Sequence, residues 1–186
     1  MKEDLHSYLR DAREAILWKL DDLGERDIRR PLTRTGTNLL GLVKHLATVE
    51  LMYFGIVFDR RPENPPPWLR PGLEPNVDMW ATEDESRDHI VGVYREAARH
   101  ADATIEALDL DAVGTAAWWP EPRVTLHRVL VHVVAEAQRH LGHADIVREL
   151  IDGAVGHGQG NDFLPPREEA GWREHVTKLE TVADKF

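Results

Sequence analysis

Apolar residues recur at three- and four-residue steps in four separate stretches of this chain, and no stretch of useful length alternates as a half-buried strand would. That pattern points to an all-α fold. Between residues 3 and 23 the periodic positions are Leu5, Leu9, Ala12, Ala15, Ile16, Leu20 and Leu23. The same step resumes after the capping stretch Thr35-Gly36-Thr37-Asn38, through Leu39, Leu42, Val43, Leu46, Val49, Tyr53 and Val57 to about residue 59. A capping box at Thr82–Glu85 opens a third helix to about Leu108, with Val91, Tyr94, Ala97, Ala98, Ala101, Ile105 and Leu108 on its buried side. Thr125 caps a fourth, which stops at Asp152-Gly153. Four such stripes bury one another as an antiparallel four-helix bundle.

The connections are unequal. Residues 61–75 hold six of the 11 prolines, which excludes helix and inner strand and predicts a stiff, ordered loop. A second loop carries Trp118-Trp119-Pro120. Beyond Gly153 a Gly-rich tail turns at Pro165-Pro166 into a short helix expected over 168–184, packing on the bundle or on a partner. The expected division is a bundle over 1–153 and a tail over 154–186. With 186 residues, 42% of them hydrophobic and 30% charged, one core of ordinary size is expected.

Composition narrows the chemistry. The net charge of −10 disfavours nucleic acid and anionic membrane surfaces as partners, since both need a basic patch. Zero Cys removes disulfides, thiolate ligands and any protein thiol nucleophile, so a bound metal must use His, Glu or Asp. With no apolar N-terminal segment and no apolar run near the ~20 residues that span a bilayer, a cytoplasmic location is expected.

The chemistry-bearing stretch is Glu136-Ala137-Gln138-Arg139-His140-Leu141-Gly142-His143. Side chains three or four apart on a helix are neighbours, so His132 with Glu136, Glu136 with His140, and His140 with His143 are all feasible pairs. At ~1.5 Å rise per residue, His132 and His140 are about 12 Å apart along the axis and cannot share an ion with the rest. A bundle permits His45, on the second helix, to meet Glu136 and His140. Two imidazoles and one carboxylate leave an ion with an open position, the pattern of a catalytic site. The plain alternatives are a solvated Glu/His pair and a satisfied core histidine at His45. Val129, Val133, Ile146 and Val147 place the stripe at the core border, where an unpaired carboxylate would be costly.

The runs Gly36-Thr37-Asn38-Leu39-Leu40-Gly41-Leu42-Val43-Lys44-His45-Leu46-Ala47 with Glu50, and Leu130-Val131-His132 through Glu136 to Glu149 with Asp152-Gly153, resemble the DinB/YfiT-like superfamily. The likeness is to its actinobacterial branch related to mycothiol-dependent maleylpyruvate isomerase, and covers about residues 3–153. It implies an up-down-down-up bundle, a homodimer, and a divalent ion, zinc or nickel, held by three side chains. Carried over by position, these ligands are His45, Glu136 and His140. Glu136 stands where many members have a third histidine, which makes the site less electropositive.

The resemblance implies an enzyme using a low-molecular-weight thiol, with mycothiol as the implied cofactor, as an S-transferase or thiol-dependent isomerase acting on an electrophile. A metal-dependent hydrolase and a non-catalytic metal-binding bundle are the rival classes. Around the triad, His143 is expected to orient a bound group or to pack between helices. Glu50, on an apolar stripe, should orient a ligand histidine or pair with an Arg. His132 reads as packing or surface. Trp118 and Trp119 read as pocket mouth or core cover, and Arg139 and Arg148 as anion-binding or solvated charges.

Overall fold

The computed structural model describes residues 1–70, 72–161 and 164–186, so Pro71 of the proline-rich loop lies outside the described residues. Its helices are α1 (Lys2–Trp18), α2 (Glu25–Arg29), α3 (Leu39–Glu50), α4 (Arg87–Ala107), α5 (Leu126–Asp152) and α6 (Glu169–Ala183). Packing follows the predicted stripes: α1 lies on α5, and α3 lies on both α4 and α5. Leu9, Ile16, Leu40, Val43, Phe54, Ile90, Ile105, Val129 and Leu130 are among the buried residues that join these helices into one core.

The chain is mainly helical, as expected, and departs from all-α at one small hairpin. Val113–Thr115 (β1) and Arg123–Thr125 (β2) form an antiparallel hairpin with Gly114 opposite Val124. Three-residue strands are too short to show a period of two. The hairpin closes the end of the second long helix, because Thr115 N–H donates to the Val57 carbonyl. A Cβ on Gly114 would sit 2.5 Å from that carbonyl oxygen, so only glycine permits the approach.

Other boundaries move for local reasons. The first helix ends at Trp18, and the expected run to residue 23 is broken by a turn with Asp22 at φ 61 before the short α2. The helix begun at Leu39 widens to π-helix over Leu51–Ile56. Together these form an 18-residue segment of mean hydropathy 1.4, long and apolar enough to cross a membrane, which the sequence reading overlooked. It is 83% buried inside the protein, so its apolarity serves the core. Thr82 and Glu85 do pair, with Glu85 Oε2 accepting from Thr82 N–H at 2.9 Å, but α4 starts later, at Arg87. Ser86 is its cap, accepting from His89 N–H. Thr125 caps α5 as expected, accepting from Arg128 N–H.

Three polar anchors hold the framework. Arg13 on α1 donates to both Glu50 oxygens at 2.8 and 2.6 Å and to Asp102 on α4 at 2.7 Å. Burial opposes charge on Arg13, but these two carboxylates outweigh it and hold its pKa above the usual arginine value. Arg148 on α5 clamps Asp152 and the carbonyls of Trp18 and Asp21, tying α5 to the end of α1. Lys19, fully buried, reaches Asp145 at 2.6 Å and the Gly156 carbonyl, fixing the start of the tail. Farther along the tail, α6 has no buried side chain, and a cavity of about 750 Å³ lies where Trp172 and Val176 face Asp145 and Glu149.

Candidate metal centre

His45 is on α3, and Glu136 and His140 are one turn apart on α5, so the contact between these helices brings the three together. One ligand atom from each lies within 4.8 Å of the others. Glu136 Oε1 is 3.0 Å from His140 Nε2 and 3.7 Å from His45 Nε2. The two rings meet edge to face with centroids 4.7 Å apart. Zinc bonds of ~2.0–2.2 Å in tetrahedral geometry set donor atoms about 3.3–3.6 Å apart, so the 3.0 and 3.7 Å spacings from Glu136 to the two histidines suit one divalent ion.

The outer nitrogens of the histidines are engaged elsewhere. His45 Nδ1 is 2.8 Å from Asp78 Oδ2, which fixes Nδ1 as the donor and leaves the Nε2 lone pair directed to Glu136. His140 Nδ1 is 3.4 Å from His143 Nδ1, so His143 reaches His140 from the side away from Glu136. The sequence reading missed Asp78 altogether. A carboxylate behind a ligand imidazole keeps its tautomer and raises its basicity, a common device at metal sites.

Asp78 is presented by a loop bound tightly to α3. Asn38 caps α3 through Gly41 N–H and also donates from Nδ2 to the Met79 carbonyl at 3.2 Å. Lys44, fully buried, donates to the Val77 and Trp80 carbonyls, each at 2.9 Å, and to Glu85 at 2.8 Å. Its ammonium also lies 4.6 Å from the Trp68 ring centroid, and Trp68 Nε1 donates to Thr48 on α3. At Gly41 the loop backbone comes so close that a Cβ would be 1.9 Å from the Met79 carbonyl oxygen.

Charge is tuned accordingly. Burial raises the Asp78 carboxyl, but the hydrogen bond and charge of His45 overcome this and leave its pKa below the usual carboxylate value. Glu136 follows the same pattern, with His140 as the main counterweight. His140 is held below the ordinary histidine pKa by burial first and by the neighbouring His45 second. At neutral pH the group is therefore two carboxylates beside a neutral His140, electrostatically ready for a cation. The triad opens to a cavity of about 580 Å³, whose walls include Thr37, Asn76, Met79, Trp80 and Arg139.

The remaining candidates are distributed elsewhere. Glu50 is bound by Arg13, the second of its two expected partners, and lies away from the histidines' hydrogen bonds. His132 packs between Tyr53 and Trp119, with centroids 4.8 Å from each. Both Trp118 and Trp119 donate to the Tyr53 hydroxyl, so the pair covers the core next to the hairpin and does not line the His45 cavity. Arg148 is a buried clamp, neither anion site nor solvated charge, whereas Arg139 does face the cavity. Val129, Val133 and Val147 are buried as expected, but Ile146 is 63% exposed. His6 lies outside the site and bonds Asp102 at 2.6 Å across to α4.

No curated protein matches the chain. The family model described as mycothiol-S-transferase matches residues 4–153, a span that contains all three residues of the triad and Asp78. That match agrees with the DinB-type resemblance of the sequence, and the chain belongs to the mycothiol-S-transferase family.

Proposed function

We propose that this protein is a divalent-metal-dependent transferase that conjugates a low-molecular-weight thiol of the mycothiol type to an electrophile. The observation that carries the reading is the convergence of His45, His140 and Glu136, one ligand atom from each within 4.8 Å of the others, in the lining of an open cavity. Family membership supports the thiol chemistry, and the donor set of two imidazoles and a carboxylate supports zinc as the ion, with nickel next. We read the four long helices as an up-down-down-up bundle whose facing helices build this site.

The chain's own residues would do the following. His45, His140 and Glu136 hold the ion, while Asp78 and His143 keep the two rings turned so that Nε2 faces inward. When bound, a divalent cation stabilises the thiolate form of a thiol and so supplies a nucleophile that this Cys-free chain lacks. The location of His143 behind His140 supports a coordination position left for that thiol. In conjugation the sulfur forms a bond to the electrophilic carbon, the leaving group departs with its electron pair, and the thiol proton passes to solvent. A thiol-dependent isomerase would instead return the thiol unchanged.

Metal analysis of protein purified without chelator tests the site, with the parent compared to His45→Ala, Glu136→Ala and His140→Ala. About one ion per parent chain and its loss in each variant are expected; full metal in the variants would overturn the ligand assignment. Conjugation should then require added thiol. Turnover without thiol would mark a hydrolase instead.

A further inference from the structure

Arg139 lies one residue before His140 on α5, and it is the only Lys or Arg among the described residues that line the cavity above the triad. Its exposed guanidinium has no hydrogen bond or ion pair among the described residues, so its donors are free toward the cavity. Another wall bears Trp80, 46% exposed, an aromatic face left to solvent at a place where its own backbone carbonyl is pinned by buried Lys44. Thr37 and Asn76 add an uncharged polar rim.

We infer that Arg139 is a specificity-determining residue that binds a carboxylate on the electrophilic substrate, whose planar, conjugated body rests against Trp80. The chemistry is a fork of N–H donors that matches a carboxylate in two parallel bonds, beside a ring suited to stacking. A cavity of about 580 Å³ is of the size that holds a small aromatic acid with a thiol alongside. The substrate class is therefore an aromatic or conjugated carboxylic acid with a displaceable group. In such a reaction the thiol sulfur bonds the ring carbon, the carbon–halogen bond breaks, halide leaves with the electron pair and the thiol proton goes to solvent. The carboxylate stays intact and serves only for binding.

The inference rests on the transferase reading for its kinetic arm alone, so a binding arm is added. Metal-loaded parent, Arg139→Gln, Arg139→Lys and Trp80→Leu proteins are titrated calorimetrically with 4-nitrobenzoate and with its neutral isostere 4-nitrobenzamide, without thiol. The parent should prefer the acid by about tenfold, the scale of one charge-assisted contact. Arg139→Gln should abolish that preference, Arg139→Lys should keep part of it, and Trp80→Leu should weaken both ligands alike. Conjugation of mycothiol to 4-chloro-3-nitrobenzoate and to the corresponding amide is then followed. Arg139→Gln should raise KM for the acid about tenfold and leave the amide within twofold.

Equal binding of acid and amide by the parent, or an unchanged preference in Arg139→Gln, overturns the inference and shows a solvated helix-face charge. A rise in KM for the thiol in place of the electrophile overturns it in favour of an anionic thiol. An acid preference that depends on Arg139 in a protein that conjugates neither compound leaves the inference standing and counts against the transferase.

Discussion

Asp78 Oδ2 accepts from His45 Nδ1 at 2.8 Å, and this one bond decides which nitrogen of His45 meets Glu136. Replacing Asp78 with Ala frees the ring to turn and removes a negative charge from behind the proposed ligand. Loss of such an outer partner typically lowers metal affinity 10–100-fold. Competition of the purified protein with a calibrated chelator should show a change of that size for Asp78→Ala. Asp78→Asn, which keeps a hydrogen-bond acceptor, should lie between the variant and the parent. Equal affinity in all three would show that the contact does not orient His45.

Gly41 and Gly142 make a matched pair of helical glycines with opposite expected outcomes. A Cβ at Gly41 would overlap the Met79 carbonyl, and backbone cannot swing aside as a side chain can. Gly41→Ala should therefore destabilise by ~1–3 kcal/mol, as overpacking does, and should also weaken metal binding by pushing Asp78 away from His45. Gly142 has nothing within 4 Å of its virtual Cβ, so Gly142→Ala should stabilise by ~0.5–1 kcal/mol through helix propensity. Chemical denaturation of both variants checks the signs.

The contrast between Glu136 and Asp78 shows what the sequence made legible. Glu136 and His140 belong to one helix, so a spacing of four residues sets their geometry before any tertiary contact forms. The family resemblance then supplied His45 from another helix. Asp78 is 33 residues from His45 in a loop without periodicity, and its place depends on the buried amine of Lys44 and the amide of Asn38. Lys44 was the available signal: a lysine flanked by Leu42, Val43, Leu46 and Ala47 must find carbonyl or carboxylate partners from elsewhere. The late start of α4 has a similar cause. Glu85 satisfies Lys44 as well as Thr82, and the helix begins only after that obligation is met.

Acid should destabilise the metal-free protein, and the triad accounts for part of the effect. His140 has a folded-state pKa below the ordinary histidine value of 6.5, because burial and His45 disfavour its charged form. Below that value the unfolded chain binds more protons than the folded one, so stability is full above about pH 6.5 and falls as pH drops through the folded pKa. Asp78 and Glu136 have lowered values too, so their contribution is also lost on acidification, at lower pH. Urea midpoints measured from pH 7.5 to 4.5 should decline, and His140→Gln should flatten the upper part of that decline. A parallel decline in the variant would place the proton uptake elsewhere.

The Arg13–Glu50 pair separates framework from site. Both side chains are buried, at 6% and 2% exposure, and the bidentate bond joins α1 to α3 while Asp102 extends it to α4. Removing one partner leaves a buried charge without compensation, a loss of ~3–5 kcal/mol. Arg13→Ala should be the more damaging change, because it takes both bonds from the buried Glu50 carboxylate, whereas Glu50→Ala leaves Arg13 still paired to Asp102. The double replacement Arg13→Met with Glu50→Leu should recover most of the loss, since the desolvation cost of both charges disappears with them. In that double variant the metal content should match the parent, because neither residue touches His45, Glu136 or His140. A double variant that folds but no longer holds metal would show that the network also positions α3 for His45, and would make Glu50 a positioning residue of the site.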